Sequence, residues 1–299
     1  MSELTTISNQ LADAVEAAGA WTVRVQARRG SAASGIALAA ELVLTADHVV
    51  DPAREDAIRI GLPDGSEVGA SIVGRDAATD VAVLKISSGT LTPAKAASQE
   101  PRTGALALAV GRPGAQPSAS LGLITGSGGP TRTRRGGMLE RFIMVDAVMY
   151  PGFSGGALVD ADGAILGMLT SGLGFGGPAV ALPWSLVSQI AETIKTHGKV
   201  ARGYLGIGSQ PVTLSQEAKT AAGGQERGLL VVQVAEAGPA ATAGILQGDI
   251  LIRLDGNGIS NADDLQSLLG PTRVGNAVTA SVVRGGELRD LTLTVGSRD

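Results

Sequence analysis

The chain of 299 residues contains no cysteine and only two histidines, His48 and His197. The absence of cysteine excludes disulfide bonds, thiolate zinc sites and a cysteine nucleophile. Two histidines are too few for most protein zinc centres, so we expect neither a metal nor another cofactor. Any reaction that needs an imidazole must therefore use one of these two residues.

Long apolar runs and net charge are also scarce. No segment approaches the length of a membrane span, and the formal net charge of −4 argues against a nucleic-acid-binding protein. The one basic cluster, Arg132 to Arg135, lies among glycines and is interpreted as a solvated loop. Because the first residues lack the basic stretch and apolar core of a secretory signal, the sequence as written predicts a cytosolic protein.

The length and the hydrophobic share of 44% are sufficient for two domains. Residues 1–20 are predicted to form an amphipathic helix, because apolar residues recur there at helical spacing: Leu4, Ile7, Leu11 and Val15. Residues 21–198 contain many short apolar segments between Gly, Pro and Asp turns, a pattern that predicts a β-barrel or sandwich. Residues 203–297 mix strands with two helices and predict a smaller α+β module.

Two further helices have recognisable ends. The first lies between Pro183 and Gly198, and the domain boundary follows it near residue 200. Its apolar face consists of Leu186, Val187, Ile190 and Ile194. The second follows Ser260 and Asp263, which form a capping-box pattern. Its apolar face consists of Leu265, Leu268 and Leu269.

The segment PGFSGGAL, residues 151–158, places Ser154 among glycines in a Gly-x-Ser-x-Gly pattern. This pattern is also the nucleophile elbow of the α/β-hydrolases, which requires a following helix and a histidine later in the chain. Here two apolar runs follow around the Asp162-Gly163 turn and predict a β-hairpin. The only downstream histidine, His197, is explained by its position at a helix C-terminus. We therefore reject the elbow.

The residues before Ser154 fit a different arrangement. His48 follows the apolar strand ELVLTA, and Asp80 begins the apolar strand VAVLKI. The order His48, Asp80, Ser154 is that of the chymotrypsin-type triad on a double β-barrel. In this arrangement the backbone N–H groups of Gly152 and Ser154 are the expected oxyanion hole.

Each of these residues also has a purely structural explanation. Ser154 alone is a common turn serine, His48 alone fits the end of a buried strand, and Asp80 alone fits a turn cap. Asp47 adjoins His48, but adjacent side chains in extended backbone diverge, so Asp47 is a poor candidate for orienting the imidazole. The catalytic interpretation depends on the three residues occurring together and in this order.

The chain resembles the HtrA (Deg) serine proteases in three blocks, LTADHVV, TDVAVLKI and DAVMYPGFSGGAL. The resemblance covers roughly residues 20–195, and the C-terminal module resembles the PDZ domain of that family. It implies a mainly β, chymotrypsin-like double barrel followed by a smaller α+β PDZ domain. It also implies a serine endopeptidase for unfolded or misfolded proteins, with chaperone-like activity in protein quality control.

The resemblance further implies binding residues and partners. The pocket for the substrate residue before the scissile bond, S1, is expected to be lined by Met149, Gly172 and Leu182. In the PDZ module, peptide C-termini are expected to bind at Tyr204, Leu205, Gly206, Ile207, Leu265 and Leu268. Members of the family are usually extracytoplasmic or membrane-tethered and often trimeric, so a homotrimer or higher oligomer is a further expectation.

Two features depart from or complicate this pattern. Phe153 precedes the nucleophile where the family usually has asparagine, and its bulk is expected to alter the oxyanion turn or the substrate cleft. The glycine-rich run from Gly172 to Leu182 is interpreted as a mobile activation or specificity loop. These features leave open an alternative: a non-proteolytic peptide-binding or chaperone protein with an inactive protease domain.

Overall fold

The structure, a computed structural model, describes residues 2–133, 138–173, 179–198, 202–270 and 273–298. Arg134 and Arg135 of the basic cluster and residues 174–178 of the glycine-rich run lie outside the described residues. The chain divides into two units, residues 1–200 and 201–299, and each is described by itself.

The first unit begins with helix α1, Glu3–Gly19, and continues into a closed barrel with the strand order β1-β2-β3-β6-β5-β4. Its interior is dense. A Cβ atom at Gly35 would lie 2.6 Å from Val43 and 2.8 Å from Val25, so only glycine fits there. The strands are β1 Thr22–Gln26, β2 Ala33–Ala39, β3 Leu42–Thr45, β4 Arg59–Gly61, β5 Glu67–Asp76 and β6 Val81–Ile86.

A second closed barrel follows, with the strand order β11-β14-β13-β12-β7-β8. The hairpin predicted after Ser154 is confirmed, because β12 and β13 pair antiparallel on either side of the Asp162-Gly163 turn. The strands are β7 Leu106–Gly111, β8 Ser118–Gly128, β11 Phe142–Val145, β12 Ala157–Val159, β13 Ile165–Thr170 and β14 Ala179–Pro183, with a short hairpin of β9 Thr131–Arg132 and β10 Met138–Leu139 before β11. The expected mainly β double barrel is confirmed.

Helix α2, Trp184–His197, closes the first unit with the predicted ends. Pro183 is the N-cap, and Gly198 ends the helix in the left-handed conformation with a φ of 73°. The helix buries Val187, Ala191 and Ile194 against the core. Helix α1 is attached only in part, since Ala14 and Ala18 are buried while Leu4 is 76% exposed. The predicted apolar stripe of α1 therefore packs through its C-terminal half.

The second unit contains a sheet with the order β16-β17-β18-β20-β21, in which β19 also pairs with β18, and a separate pair of β15 with β22. Strand β16 lies at a sheet edge, and in the described part of the chain β17 is its only partner. The strands are β15 Arg202–Tyr204, β16 Ile207–Thr213, β17 Arg227–Val234, β18 Ile250–Leu254, β19 Asn257–Gly258, β20 Ala277–Arg284, β21 Glu287–Thr294 and β22 Gly296–Arg298. The helices are α3 Gln216–Ala221, α4 Pro239–Thr242 and α5 Ala262–Leu268.

The N-terminus of α5 differs from the predicted capping box. Asn261, not Ser260, is the N-cap, and its side-chain oxygen accepts hydrogen bonds from the amides of Asp263 and Asp264. The carboxylate of Asp264 then accepts from the amide of Ser260 at 2.7 Å. The N-cap therefore lies one residue later than expected, because Asn caps a helix as well as Ser does, and the Asp264 carboxylate binds the amide of the residue before the cap. Among the described residues, no helix is both long and apolar enough to span a membrane.

Candidate active site

His48 and Asp80 form a buried pair inside the first unit. His48 lies on the short 3₁₀ helix Asp47–Val49 that follows β3, and Asp80 lies in the turn immediately before β6. Nδ1 of His48 is 2.8 Å from Oδ2 and 3.0 Å from Oδ1 of Asp80, and the His48 amide donates to Oδ1 at 2.9 Å. The Asp80 side chain is fully buried, whereas the imidazole is 15% exposed. One nitrogen of the imidazole is therefore occupied by a carboxylate.

Asp80 adopts an unusual backbone conformation to reach this position. Its φ is 61°, in the left-handed region, which costs free energy for residues other than glycine. The carboxylate also accepts a short hydrogen bond from the hydroxyl of Thr170, at the end of β13. A buried carboxylate needs several donors to offset its loss of hydration, and here His48 and Thr170 supply them.

Asp47 precedes His48 in the sequence but does not orient its imidazole, as we expected from the divergence of adjacent side chains. Its buried carboxylate accepts from Nε of Arg75 at 2.6 Å. The other histidine, His197, is exposed at the end of α2, where Nδ1 lies 3.3 Å from the carbonyl of Thr193. Among the residues that the structure describes, His48 lies beside a carboxylate and His197 does not.

Ser154 lies in the turn before β12 and is 8% exposed. Its Oγ is 2.9 Å from Oγ of Ser171, the residue after Thr170. Within the described residues no hydrogen bond joins Ser154 to His48, and Nε2 of His48 has no protein partner there. The structure thus pairs His48 with Asp80 and pairs Ser154 with Ser171.

The glycine turn before Ser154 leaves two amide groups free. The amide of Phe153 donates to the carbonyl of Tyr150 at 3.0 Å, while the amides of Gly152 and Ser154 have no acceptor in the described part of the chain. Gly152 has a φ of 88°, which favours glycine strongly. The amides of Gly152 and Ser154 are therefore available as the two hydrogen-bond donors that an oxyanion hole requires.

Ser34, a fully buried residue of the first barrel, holds this turn in place. Its hydroxyl donates to the carbonyl of Gly152 at 2.6 Å and accepts from the amide of Arg112 at 2.8 Å. Its amide donates to the carbonyl of Ser154 at 3.1 Å. The first barrel therefore fixes the turn that carries the free amides of Gly152 and Ser154, which belong to the second.

Phe153 points into the core of the second barrel, contrary to the expectation that its bulk would affect the cleft. The side chain is fully buried, and its ring packs edge-on against Tyr150 with 5.4 Å between centroids. Gly111 leaves room for it, because a Cβ atom there would lie 2.7 Å from the ring. The aromatic side chain is thus part of the barrel packing.

The three residues expected to line S1 have different environments. Met149 is half-buried beside the core of the second barrel, and Leu182 is fully buried in β14. Gly172 lies against the histidine–aspartate pair, since a Cβ atom on it would be 2.5 Å from both His48 Nδ1 and Asp80 Oδ2. Complete burial does not suit a residue that lines an open pocket, so Leu182 is the weakest member of the predicted set.

The residues expected to bind peptide in the second unit surround one end of β16. Gly206 has a φ of 81°, and the amides of Leu205 and Gly206 have no acceptor among the described residues. Ile207 and Leu268 are half-buried at the edge of the core that α5 covers, whereas Leu265 is buried within it. Tyr204 belongs to β15, which pairs with β22.

The comparisons with known proteins agree with this architecture. A model of the trypsin-like peptidase domain matches residues 33–168, and a PDZ domain model matches residues 203–295. A solved structure, "HtrA-type protease AlgW with decapeptide", is 30% identical, has a TM-score of 0.76, and is matched over 97% of this chain and 99% of that chain. The chain belongs to the HtrA-type protease family. A second solved structure, the serine endoprotease from Yersinia pestis, is 28% identical with a TM-score of 0.76, over 97% of this chain and 98% of that chain.

Curated relatives of this HtrA-type chain are named probable periplasmic DegP-like serine endoproteases. The one from Halomonas elongata is 34% identical over 90% of this chain and 57% of its own length. The one from Pseudomonas savastanoi is 36% identical over 85% of this chain and 53% of its own length. The chain therefore spans about half the length of the curated relatives it matches. Their periplasmic names lend no support to the expected cytosolic location.

Proposed function

We propose that this chain is a serine endopeptidase in which Ser154 is the nucleophile, His48 the general base and Asp80 the residue that orients the imidazole. The observation that carries the proposal is the buried His48–Asp80 pair together with the two free amides of Gly152 and Ser154. A carboxylate at Nδ1 leaves Nε2 as the nitrogen that accepts a proton. The trypsin-like domain match and the endoprotease relatives support the same assignment.

In acylation, Oγ of Ser154 attacks the carbonyl carbon of the scissile peptide bond while Nε2 of His48 takes the hydroxyl proton. The carbonyl oxygen becomes an oxyanion, which accepts hydrogen bonds from the amides of Gly152 and Ser154. Asp80 stabilises the imidazolium through Nδ1–H. The imidazolium then protonates the leaving amine, the peptide bond breaks, and an acyl ester forms on Ser154.

In deacylation, a water molecule attacks the ester carbon and gives its proton to His48. The second tetrahedral species uses the same two amides, and its collapse releases the new carboxyl end and returns the proton to Ser154. One preorganised oxyanion donor is worth about 100- to 1,000-fold in rate, so the conformation of Gly152 matters nearly as much as the nucleophile.

The substrates we propose are unfolded or misfolded proteins, in keeping with protein quality control and chaperone-like activity in this family. An apolar preference at S1 is part of the proposal, with Met149 and Gly172 as lining residues. We propose further that the PDZ domain binds peptide C-termini. The peptide would pair with the open edge of β16, its carboxylate would bind the amides of Leu205 and Gly206, and its last side chain would contact Ile207 and Leu268.

We also propose an extracytoplasmic location and a homo-oligomeric assembly. The location is suggested by the periplasmic names of the relatives. The assembly, a trimer or a larger oligomer, is an expectation from the family resemblance alone.

A fluorophosphonate probe tests the catalytic assignment directly. The wild-type chain should be labelled on the peptide that contains Ser154, and Ser154→Ala should abolish both labelling and casein cleavage. His48→Ala should lower kcat by a factor on the order of 10⁶, because the nucleophile loses its base. His197→Ala is the matched control and should keep wild-type activity. Loss of activity in His197→Ala but not in His48→Ala would overturn the assignment.

The non-proteolytic alternative has one observation in its favour, the hydrogen bond of Ser154 to Ser171 instead of His48. The endoprotease names of the relatives favour the protease. If the folded wild type neither reacts with the probe nor cleaves unfolded casein, even with an apolar C-terminal peptide added, the alternative is correct.

A further inference from the structure

Three consecutive residues at the end of β13 contact the three members of the proposed triad. Thr170 donates its hydroxyl to Asp80, and the Ser171 hydroxyl is 2.9 Å from that of Ser154. Gly172 packs so tightly against His48 and Asp80 that it has no room for a side chain, and its amide donates to Thr170 Oγ1 at 3.0 Å. A single short segment is therefore coupled to the whole catalytic group.

The hydrogen bond between Ser171 and Ser154 opposes the chemistry when Ser154 is the donor. The Ser154 proton then points to Ser171 and away from Nε2 of His48, and this hydrogen bond has to break before Ser154 can transfer its proton to His48. When Ser154 is the acceptor, one of its two oxygen lone pairs stays free and its own proton can still reach His48, so that orientation imposes no restraint.

We propose that Ser154 donates this hydrogen bond, so that Ser171 is a positioning residue that holds the hydroxyl of Ser154 in a resting orientation and lowers its reactivity. This inference rests on the proposed function, since it assumes that Ser154 is the nucleophile. The hydrogen bond is neutral and solvent-accessible on one side, so its net strength is that of an ordinary protein hydrogen bond. The restraint is therefore modest and reversible.

The exposure of the two serines explains how the restraint is released. Ser154 is nearly buried, whereas Ser171 is exposed. A peptide that enters the site can offer the Ser171 hydroxyl another hydrogen-bonding partner. Release of the nucleophile then accompanies substrate binding, and the empty enzyme stays less reactive towards unintended acyl donors.

The test compares the second-order rate constants for fluorophosphonate labelling of Ser154 in full-length variants. Ser171→Ala should react about two- to tenfold faster than the wild type, because a net hydrogen bond of this strength is lost from the resting state only. Ser171→Thr keeps the hydroxyl, and its extra methyl group has space at an exposed position. It should therefore react at the wild-type rate.

Ser188→Ala is the matched control, because it removes a hydroxyl whose one partner in the described part of the chain is the Trp184 carbonyl within α2. It should leave the labelling rate unchanged. An equal or slower rate for Ser171→Ala, with the fold intact by circular dichroism, would overturn the resting restraint while the labelled wild type still supports the protease. A rise in both Ser171→Ala and Ser171→Thr would also overturn it, because the effect would not depend on the hydroxyl. Absence of labelling in every variant would overturn the proposed function and this inference with it.

Discussion

Ser34 shows how one small buried residue sets the geometry of the proposed oxyanion hole. Its hydroxyl joins the carbonyl of Gly152 to the amide of Arg112, so both groups lose a partner if the hydroxyl is removed. The free amide of Gly152 lies in the preceding peptide plane, so Ser34 acts on it through the conformation of the glycine turn. That conformation therefore depends on a residue that precedes the turn by more than a hundred positions.

We predict that Ser34→Ala lowers both stability and catalytic rate. Leaving buried backbone groups unpaired costs about 1–3 kcal/mol of unfolding free energy. The labelling rate of Ser154 and the kcat for casein should fall as well, because the turn that carries the Gly152 amide is no longer held by Ser34. Urea unfolding and probe kinetics measure the two effects. Ser66→Ala, which removes an exposed hydroxyl bonded to Asp64, is the control and should change stability by less than about 0.5 kcal/mol. Unaltered kinetics in Ser34→Ala would contradict the proposal that Ser34 holds the turn at Gly152 in its catalytic conformation.

The contacts of individual residues also mark the limit of what the sequence predicts. His48, Asp80 and Ser154 could be proposed as a set because His48 follows and Asp80 begins an apolar strand, Ser154 lies in a glycine turn, and their order matches a known mechanism. Ser34 and Thr170 could not, since nothing in the sequence around either hydroxyl indicates a distant partner. Their partners are 118 and 90 residues away. Only the packing of the first barrel against the second brings them together.

At the level of elements, the local sequence correctly predicted the ends of one helix and the position of a turn. Pro183 and Gly198 correctly bounded α2, and the Asp162-Gly163 turn correctly predicted a hairpin. The cap of α5 was misplaced by one residue, because Ser260 and Asn261 are both good N-caps and only the fold selects between them. The apolar stripe of α1 predicted a packed helix, but not that its first half would remain exposed.

Helix α1 is attached to the first unit by an unusual buried arginine. Arg112 donates to the carbonyls of Gly19, Thr22 and Ala115 at 2.6–2.7 Å, and it is only 4% exposed. Burial lowers the pKa of Arg112 from its ordinary value, but an arginine remains protonated in proteins. Its positive charge is thus solvated by three backbone carbonyls at the junction of α1 with the barrels.

Arg112→Met should detach the end of α1, because methionine fills part of the volume but donates no hydrogen bond. Because the buried carbonyls of Gly19 and Thr22 lose this donor, while that of Ala115 is at an exposed residue, we expect a loss of about 2 kcal/mol or more in unfolding free energy. Urea unfolding measures this loss, and hydrogen exchange should show faster opening over residues 3–19. Arg141→Met, at an exposed arginine, is the control. Protection of α1 equal to that of the wild type would show that its apolar contacts hold it without Arg112.

At the scale of the whole molecule, the two units carry different proposed functions, catalysis in the first and peptide binding in the second. The first contains every residue of the proposed triad, and the second contains an open sheet edge beside half-buried apolar residues. Strand addition at such an edge satisfies backbone groups of any peptide, so it gives affinity with little dependence on sequence. Selectivity must then come from the carboxylate at the peptide end and from the last side chain.

We therefore predict that a peptide with an apolar C-terminus binds the Ser154→Ala chain, which cannot cleave it, and that amidation of the peptide weakens binding at least about tenfold. A charge-assisted hydrogen bond to backbone amides is worth about 1.5–3 kcal/mol, which corresponds to this factor or more. Fluorescence anisotropy measures both affinities.

Leu268→Asp should weaken binding of the free peptide through repulsion of its carboxylate and loss of the apolar contact. Leu246→Asp, at an exposed leucine away from β16 and α5 in the sequence, should not. Equal affinity for the free and amidated peptides would mean that the amides of Leu205 and Gly206 do not receive a carboxylate. The second unit would then bind internal segments of unfolded chains, and peptide C-termini would have no special effect on the protease.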